Sequence, residues 1–276
     1  MNGVALGYVH GGVVHEPFFR SVVDAVLWDR PRMGLIRKFE SCGGLYVAIN
    51  RNKVVEKFLE TDCEWLWFLD TDIVFGHETL YQLLKLASDH DIKIISALYF
   101  GRLNGNDVGT QPIWMVKSPD GVYQTLAEFN HGLNEVDAIG MGCCLIHREV
   151  LEKMRDVYDD DEWMWFSHDV VTKVDGTKTH LGEDLTFCRR AQALGYRIFG
   201  SGSVVVGHVK SRIENLDTFI ANLNVQFERL DAAGRTHINP DSNRGAALPD
   251  PADSNGRHDQ ADNLRLGRGG GHSLDH

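Results

Sequence analysis

The chain has no run of 18 apolar residues, so no membrane-spanning helix is expected. Its first residues, "MNGVALGYVHGG", lack a basic segment followed by an apolar stretch and a cleavage site, so no secretory signal is read there. The five cysteines (Cys42, Cys63, Cys143, Cys144, Cys188) show no CxxC spacing, and two are neighbours. That argues against a disulfide framework or zinc ribbon and for reduced thiols in a cytoplasmic protein. Positive charge is also short. Lys and Arg number 28 against 39 Asp and Glu, for a net charge of -11, which disfavours nucleic acid as a partner.

What is present suffices for one sizeable core or two small ones: 276 residues, 43% hydrophobic. Short apolar runs alternate with segments of helical period, the pattern of an α/β layered domain. Residues 4–9 read as a first strand, followed by the loop His10-Gly11-Gly12. Glu16-Pro17 opens a helix with Phe18, Phe19, Val22, Val23 and Val26 expected on one face. Residues 51–60 and 77–90 repeat the helical period, the second through Leu80, Leu83, Leu84 and Ala87. Residues 65–69 and 92–98 are apolar without alternation, as in strands covered on both faces. Beyond Phe100, "IWMVKSPDGVYQTL" reads as a hairpin turning at 118–121. A Gly-punctuated loop, strand and short helix follow in "VDAIGMGCCLIHREVLEKM". Then come a helix from Glu183 to Gly195, strand material to Val206, and an amphipathic helix over 213–230. The segment 231–276 is poor in large apolar residues and reads as a disordered tail, leaving residues 1–230 as the folded domain.

The segment "WLWFLDTDIVF" ends an apolar strand with Asp70 and Asp72. In extended chain, residues i and i+2 share a face, so both carboxylates are expected together at the strand's C-terminal end. Open α/β sheets bind ligands at that edge. At about 4 Å and an effective dielectric near 20, two carboxylates repel by roughly 4 kcal/mol. A hard divalent cation, Mg²⁺ or Mn²⁺, is the simplest remedy; a cap and an exposed acid are the plainer alternative. Glu183 and Asp184 open a helix, where capping and the helix dipole would account for either acid alone. His208 follows an apolar run and a glycine, where a histidine is more often structural than a metal ligand.

In order, "LDTD", "ISALYF", "VDAIGMGCCLIHREVLEKM", "GEDLTFCRRAQALGYRIF" and "VGH" resemble the nucleotide-sugar-dependent glycosyltransferases of the GT-A fold, closest to stand-alone family 2-like enzymes of bacteria and phages. The resemblance covers about residues 3–215 and implies a Rossmann-like α/β fold, a mostly parallel central sheet with helices on both faces. It implies that Asp70, Asp72 and His208 hold Mn²⁺ or Mg²⁺, and that the metal holds the diphosphate of a UDP- or GDP-sugar. Val9, His10, Gly11, Arg51 and Thr71 match donor-binding positions, and Gly140, Met141 and Gly142 a loop lining the donor sugar. Asp184 matches the general base, with Glu183 orienting sugar or acceptor. Trp163, Trp165 and Phe166 are candidates to stack on an acceptor, with core packing the plainer account for at least one. Two other functions fit parts of the sequence. "DTDIV" satisfies the nucleophile motif of haloacid-dehalogenase-type phosphatases, though a strand and two helices precede it here. A catalytically silent nucleotide-sugar or carbohydrate-binding module would carry nearly the same residues.

Overall fold

The computed structural model describes residues 3–210 except 45, 103–109, 120, 127 and 173–175. The helix expected over 213–230 and the tail from 231 lie outside the described residues.

The elements run β1 (Val4–His10), α1 (Glu16–Asp29), β2 (Ile36–Gly43), α2 (Val47–Leu59), β3 (Trp65–Asp70), β4 (Ile73–Val74), α3 (Thr79–Asp89), β5 (Ile94–Leu98), β6 (Phe100–Arg102), β7 (Thr110–Pro112) and β8 (Trp114–Lys117). There follow β9 (Tyr123–Thr125), β10 (Leu133–Val136), β11 (Ala138–Ile139), β12 (Cys143–His147), α4 (Arg148–Val157), β13 (Asp169–Thr172), β14 (Lys178–Leu181), α5 (Glu183–Ala193), β15 (Ile198–Val205) and β16 (Gly207–His208).

Seven strands form the central sheet in the order β10-β15-β5-β12-β3-β1-β2. Strands β2, β1, β3, β5 and β15 run one way; β12 and β10 run against them. The expectation of a mostly parallel sheet therefore holds for direction, but β12 splits it, antiparallel to both neighbours. Each face carries its own apolar cluster. Leu66 and Phe68 of β3 point into one with α2, α4 and α5, and Trp65, Trp67 and Leu69 into the other with α1 and α3. That two-sided burial explains why β3 reads as continuously apolar. Each fully buried side chain of this size contributes about 1.5–3 kcal/mol.

Two local expectations fail. Helix α1 buries Phe18, Ser21, Ala25 and Asp29, whereas Phe19 is 60% exposed and Val23 also lies open. Its rotation is fixed by Asp29, whose carboxylate accepts from the Leu35 and Ile36 amides and from the Tyr81 hydroxyl. Strand β2, "IRKFESCG", was not anticipated: as an edge strand beside β1 alone it lacks the apolar pattern of its neighbours.

Candidate functional site

Parallel pairing of β1 with β3 sets Val9 opposite Asp70, so both strands end at one edge. There the chain turns through Thr71 and Asp72 into β4, and the Asp70 amide donates to the Gly142 carbonyl (2.9 Å). A cavity of about 450 Å³ opens at this edge. Its walls come from Val9, His10 and Gly11, from Asn50 and Arg51 on α2, from Asp70, Thr71 and Asp72, and from Glu183 and Asp184 at the start of α5. Four chain segments, far apart in sequence, thus meet at the C-terminal edge of the sheet.

Arg51 is the hub. Its side chain is only 4% exposed, and it donates to Glu183 Oε1 (2.9 Å), to Asp184 and to Asp70 Oδ1 (3.1 Å). Burial alone would weaken its charge, but Asp184, Asp70 and Glu183 together outweigh that and hold the guanidinium protonated. Both terminal nitrogens are therefore engaged by carboxylates. Its Nε is buried without a hydrogen-bond partner, and Arg51, expected among the donor-binding residues, lines the cavity and ties α2 to β3 and α5.

One cation cannot neutralise three acids. Asp184 accordingly is pushed up to about 7, first by burial and then by Glu183 and Asp70, with Arg51 opposing. The Met141 amide donates to its second oxygen (3.2 Å), fixing the carboxylate's orientation.

Asp72 sits in the turn after β3 rather than in extended chain, and both aspartates line the one cavity. Their partners differ: Asp70 shares Arg51 with Glu183 and Asp184, and Asp72 Oδ2 receives Lys210 Nζ (2.9 Å) and faces His208 Nε2 (3.1 Å). Burial works against the Asp72 charge, yet His208 and Lys210 bring its carboxyl down to about 2. The repulsion that pointed to a metal is thus already relieved by protein groups. His208 Nδ1 lies 2.9 Å from the Phe100 carbonyl, which can only accept, so this nitrogen carries a proton. Nε2 then either carries a second proton or presents its lone pair toward Asp72 with a cation between them. Among the described residues no group of three or more His, Cys, Asp or Glu side chains is placed to hold a metal ion.

The Gly140-Met141-Gly142 loop packs more tightly than expected. A Cβ at Gly140 would fall 2.3 Å from the Tyr99 hydroxyl, and one at Gly142 2.8 Å from it. The Tyr99 hydroxyl also accepts from the Gly142 amide (2.9 Å). These glycines make room for a buried tyrosine, and Met141 is fully buried. Gly140 still borders a small cavity of about 180 Å³ that reaches Glu183 and Asp184.

Of the three aromatic candidates, Trp165 and Phe166 are in the core, where Phe166 stacks on Phe187 at 4.9 Å. The buried Asn52 amide accepts from both of their backbone N–H groups and donates to the Phe166 carbonyl (2.7 Å), fastening this stretch to α2. Neither ring has a free face for an acceptor. Trp163 does: with Tyr46, His168 and Glu183 it lines a cavity of about 640 Å³ beside the first.

Sequence reasoning missed His168, 3.8 Å from Glu183, as well as Tyr46, Asn52, Tyr99 and Lys210. "NRN" brackets Arg51 with Asn50, which lines the first cavity, and Asn52, which fastens residues 165–166; two amides flanking an arginine on the helix were the one visible signal.

No family model matches the chain, and no curated protein matches it. Solved structures do. The crystal structure of A197 from STIV superposes with a TM-score of 0.51 at 19% identity, over 76% of this chain and 86% of that one. GalNAc-T7, solved with UDP, GalNAc and Mn²⁺, gives a TM-score of 0.50 at 12% identity, over 77% of this chain and 44% of that one. The chain spans less than half the length of GalNAc-T7. At such identities the likeness establishes the fold: a mixed α/β, Rossmann-like layered domain. Among the described residues no helix is long and apolar enough to cross a membrane.

Proposed function

We propose that the chain is a metal-dependent glycosyltransferase of the GT-A fold, moving a sugar from a nucleoside-diphosphate sugar to an acceptor hydroxyl. The observation that carries this reading is the meeting of Asp70, Asp72, Glu183 and Asp184 around one cavity at the C-terminal edge of the sheet. The fold shared with a protein solved with UDP and Mn²⁺ supports it.

The donor set fits a hard divalent ion. Two carboxylates border the cavity, and the imidazole nitrogen opposite Asp72 needs either a proton or a shared cation. Asp70, Asp72 and His208 would hold the ion once Lys210 turns away; Lys210 is partly exposed and free to do so. Such an ion acts as a Lewis acid on the departing diphosphate. His10 and Gly11 flank the nucleotide end of the cavity. Asp184, raised toward neutrality and oriented by Met141, accepts the proton of the acceptor hydroxyl as it attacks the anomeric carbon. Arg51 keeps Asp184 and Glu183 in register with Asp70 and does not itself bind donor. The cavity bearing Tyr46 and Trp163, whose rings suit a sugar face, receives the part of the acceptor that lies beside Glu183.

Incubation of the purified protein with Mn²⁺ and a panel of UDP- and GDP-sugars should release nucleoside diphosphate, and Asp72→Ala should abolish that release. A wild-type rate in Asp72→Ala would overturn the assignment of the metal.

A further inference from the structure

A fourth cavity, of about 530 Å³, lies away from the acids, between the β8–β9 hairpin, the β13–β14 hairpin and one face of α5. It shares Met115 and Leu185 with the 180 Å³ cavity, and that cavity reaches Glu183 and Asp184. Met115 and Leu185 thus border both the hollow and the cavity that holds the proposed base.

Its chemistry departs from that of the chain. In a protein with 39 acidic and 28 basic residues, no Asp or Glu among the described residues lines it, while Lys117, His180 and Arg189 do. The nearby acids are already engaged. Asp137 accepts from the Lys117 backbone amide (2.6 Å) and from Gln192 (3.1 Å), and Asp169 accepts from Arg189 and from the Ser167 hydroxyl. Arg189 is thereby neutralised, but Lys117 is not. Its ammonium stands 5.1 Å over the Tyr123 ring and 3.4 Å from the Gln192 amide oxygen, with no carboxylate partner among the described residues. One unneutralised ammonium above an aromatic ring, with Met115, Leu181 and Leu185 as apolar walls, calls for a ligand with an apolar face and a negative group.

The geometry points to an anchoring site for an anionic acceptor: an alcohol whose hydroxyl reaches Asp184 through the small cavity, and whose phosphate, sulfate or carboxylate rests on Lys117. This assignment rests on the glycosyltransferase reading, and it names the class of acceptor which that reading leaves open. Lys117 is exposed and on a hairpin, so its replacement leaves the core untouched.

Calorimetric titration of the full chain with phenyl phosphate and glucuronate, and with phenol and glucose as uncharged counterparts, tests it; titration with UDP and Mn²⁺ is run alongside. The anionic probes should bind more tightly than their neutral counterparts. Lys117→Glu should weaken them about tenfold or more and Lys117→Arg restore them. Val122→Trp, which fills the hollow without changing charge, should weaken the anionic probes as well. Equal binding of charged and neutral probes, no binding of either, or indifference to Lys117→Glu and Val122→Trp would overturn the proposal. UDP binding is the separate readout. Its loss with anion binding intact would remove the transferase reading and leave an anion site. Its retention without anion preference would remove the anion site alone.

Discussion

The two acidic pairs of this protein have the same chemistry and opposite fates. Of Asp70 and Asp72, one residue apart, Asp72 turns away to meet Lys210 and His208, which hold its carboxyl near 2. Glu183 and Asp184, adjacent on α5, converge with Asp70 on the single guanidinium of Arg51, and Asp184 rises to about 7. Burial raises Asp184 first and the acids that share Arg51 add to it, whereas His208 and Lys210 overcome the burial of Asp72; the elements the fold brings together thus set which of these two acids can exchange a proton near neutrality.

Replacement of the exchanging acid should have the largest effect. Asp184→Asn should lower kcat by roughly 10²–10⁴-fold, the usual size of general-base catalysis, while nucleotide binding changes little; single-turnover kinetics beside calorimetry would check this. Next is the hub. Arg51→Met leaves three carboxylates around a buried site without their cation and should destabilise the fold by about 3–5 kcal/mol, read from urea unfolding, with Arg51→Lys intermediate.

The contrast between the pairs also has a pH signature. Because the Asp184 carboxyl is raised in the folded state, its contribution to stability is full below the unfolded value near 4 and is lost as pH rises through about 7. Above pH 7, Asp184→Asn should therefore melt higher than the wild type, whereas kcat of the wild type should climb over the same range as the base ionises. Asp72 has the opposite sign: its stabilisation is present above pH 4 and is lost as pH falls through about 2. Circular-dichroism melts from pH 2 to 9 would separate the two. The smallest expected effect is at the edge of the site: Trp163→Ala should raise the acceptor KM about fivefold through a lost stacking face of about 1 kcal/mol, with kcat nearly intact.

Legibility in the sequence followed burial. Strand β3 and helix α3 are covered on patterned faces, and their apolar residues announce them within two residues. Strand β2 is an edge and α1 has exposed Phe19, so pattern alone misjudged one and mis-rotated the other. In the candidate site the acids were visible because a charge at the end of an apolar run is conspicuous. Their pairing was not, because Arg51 reaches Asp184 across 133 positions of sequence and no local spacing records that contact. The glycines of 140–142 suggested a ligand but make room for Tyr99, and Trp165 and Phe166 carry the same composition as Trp163 with none of its exposure.

Calorimetric titration of UDP into the protein, with and without Mn²⁺, tests the central claim most directly. Binding that requires the metal, is lost in Asp72→Asn and survives in Asp184→Asn is the predicted result. Metal-independent binding that ignores both substitutions, or no binding at all, would contradict the account.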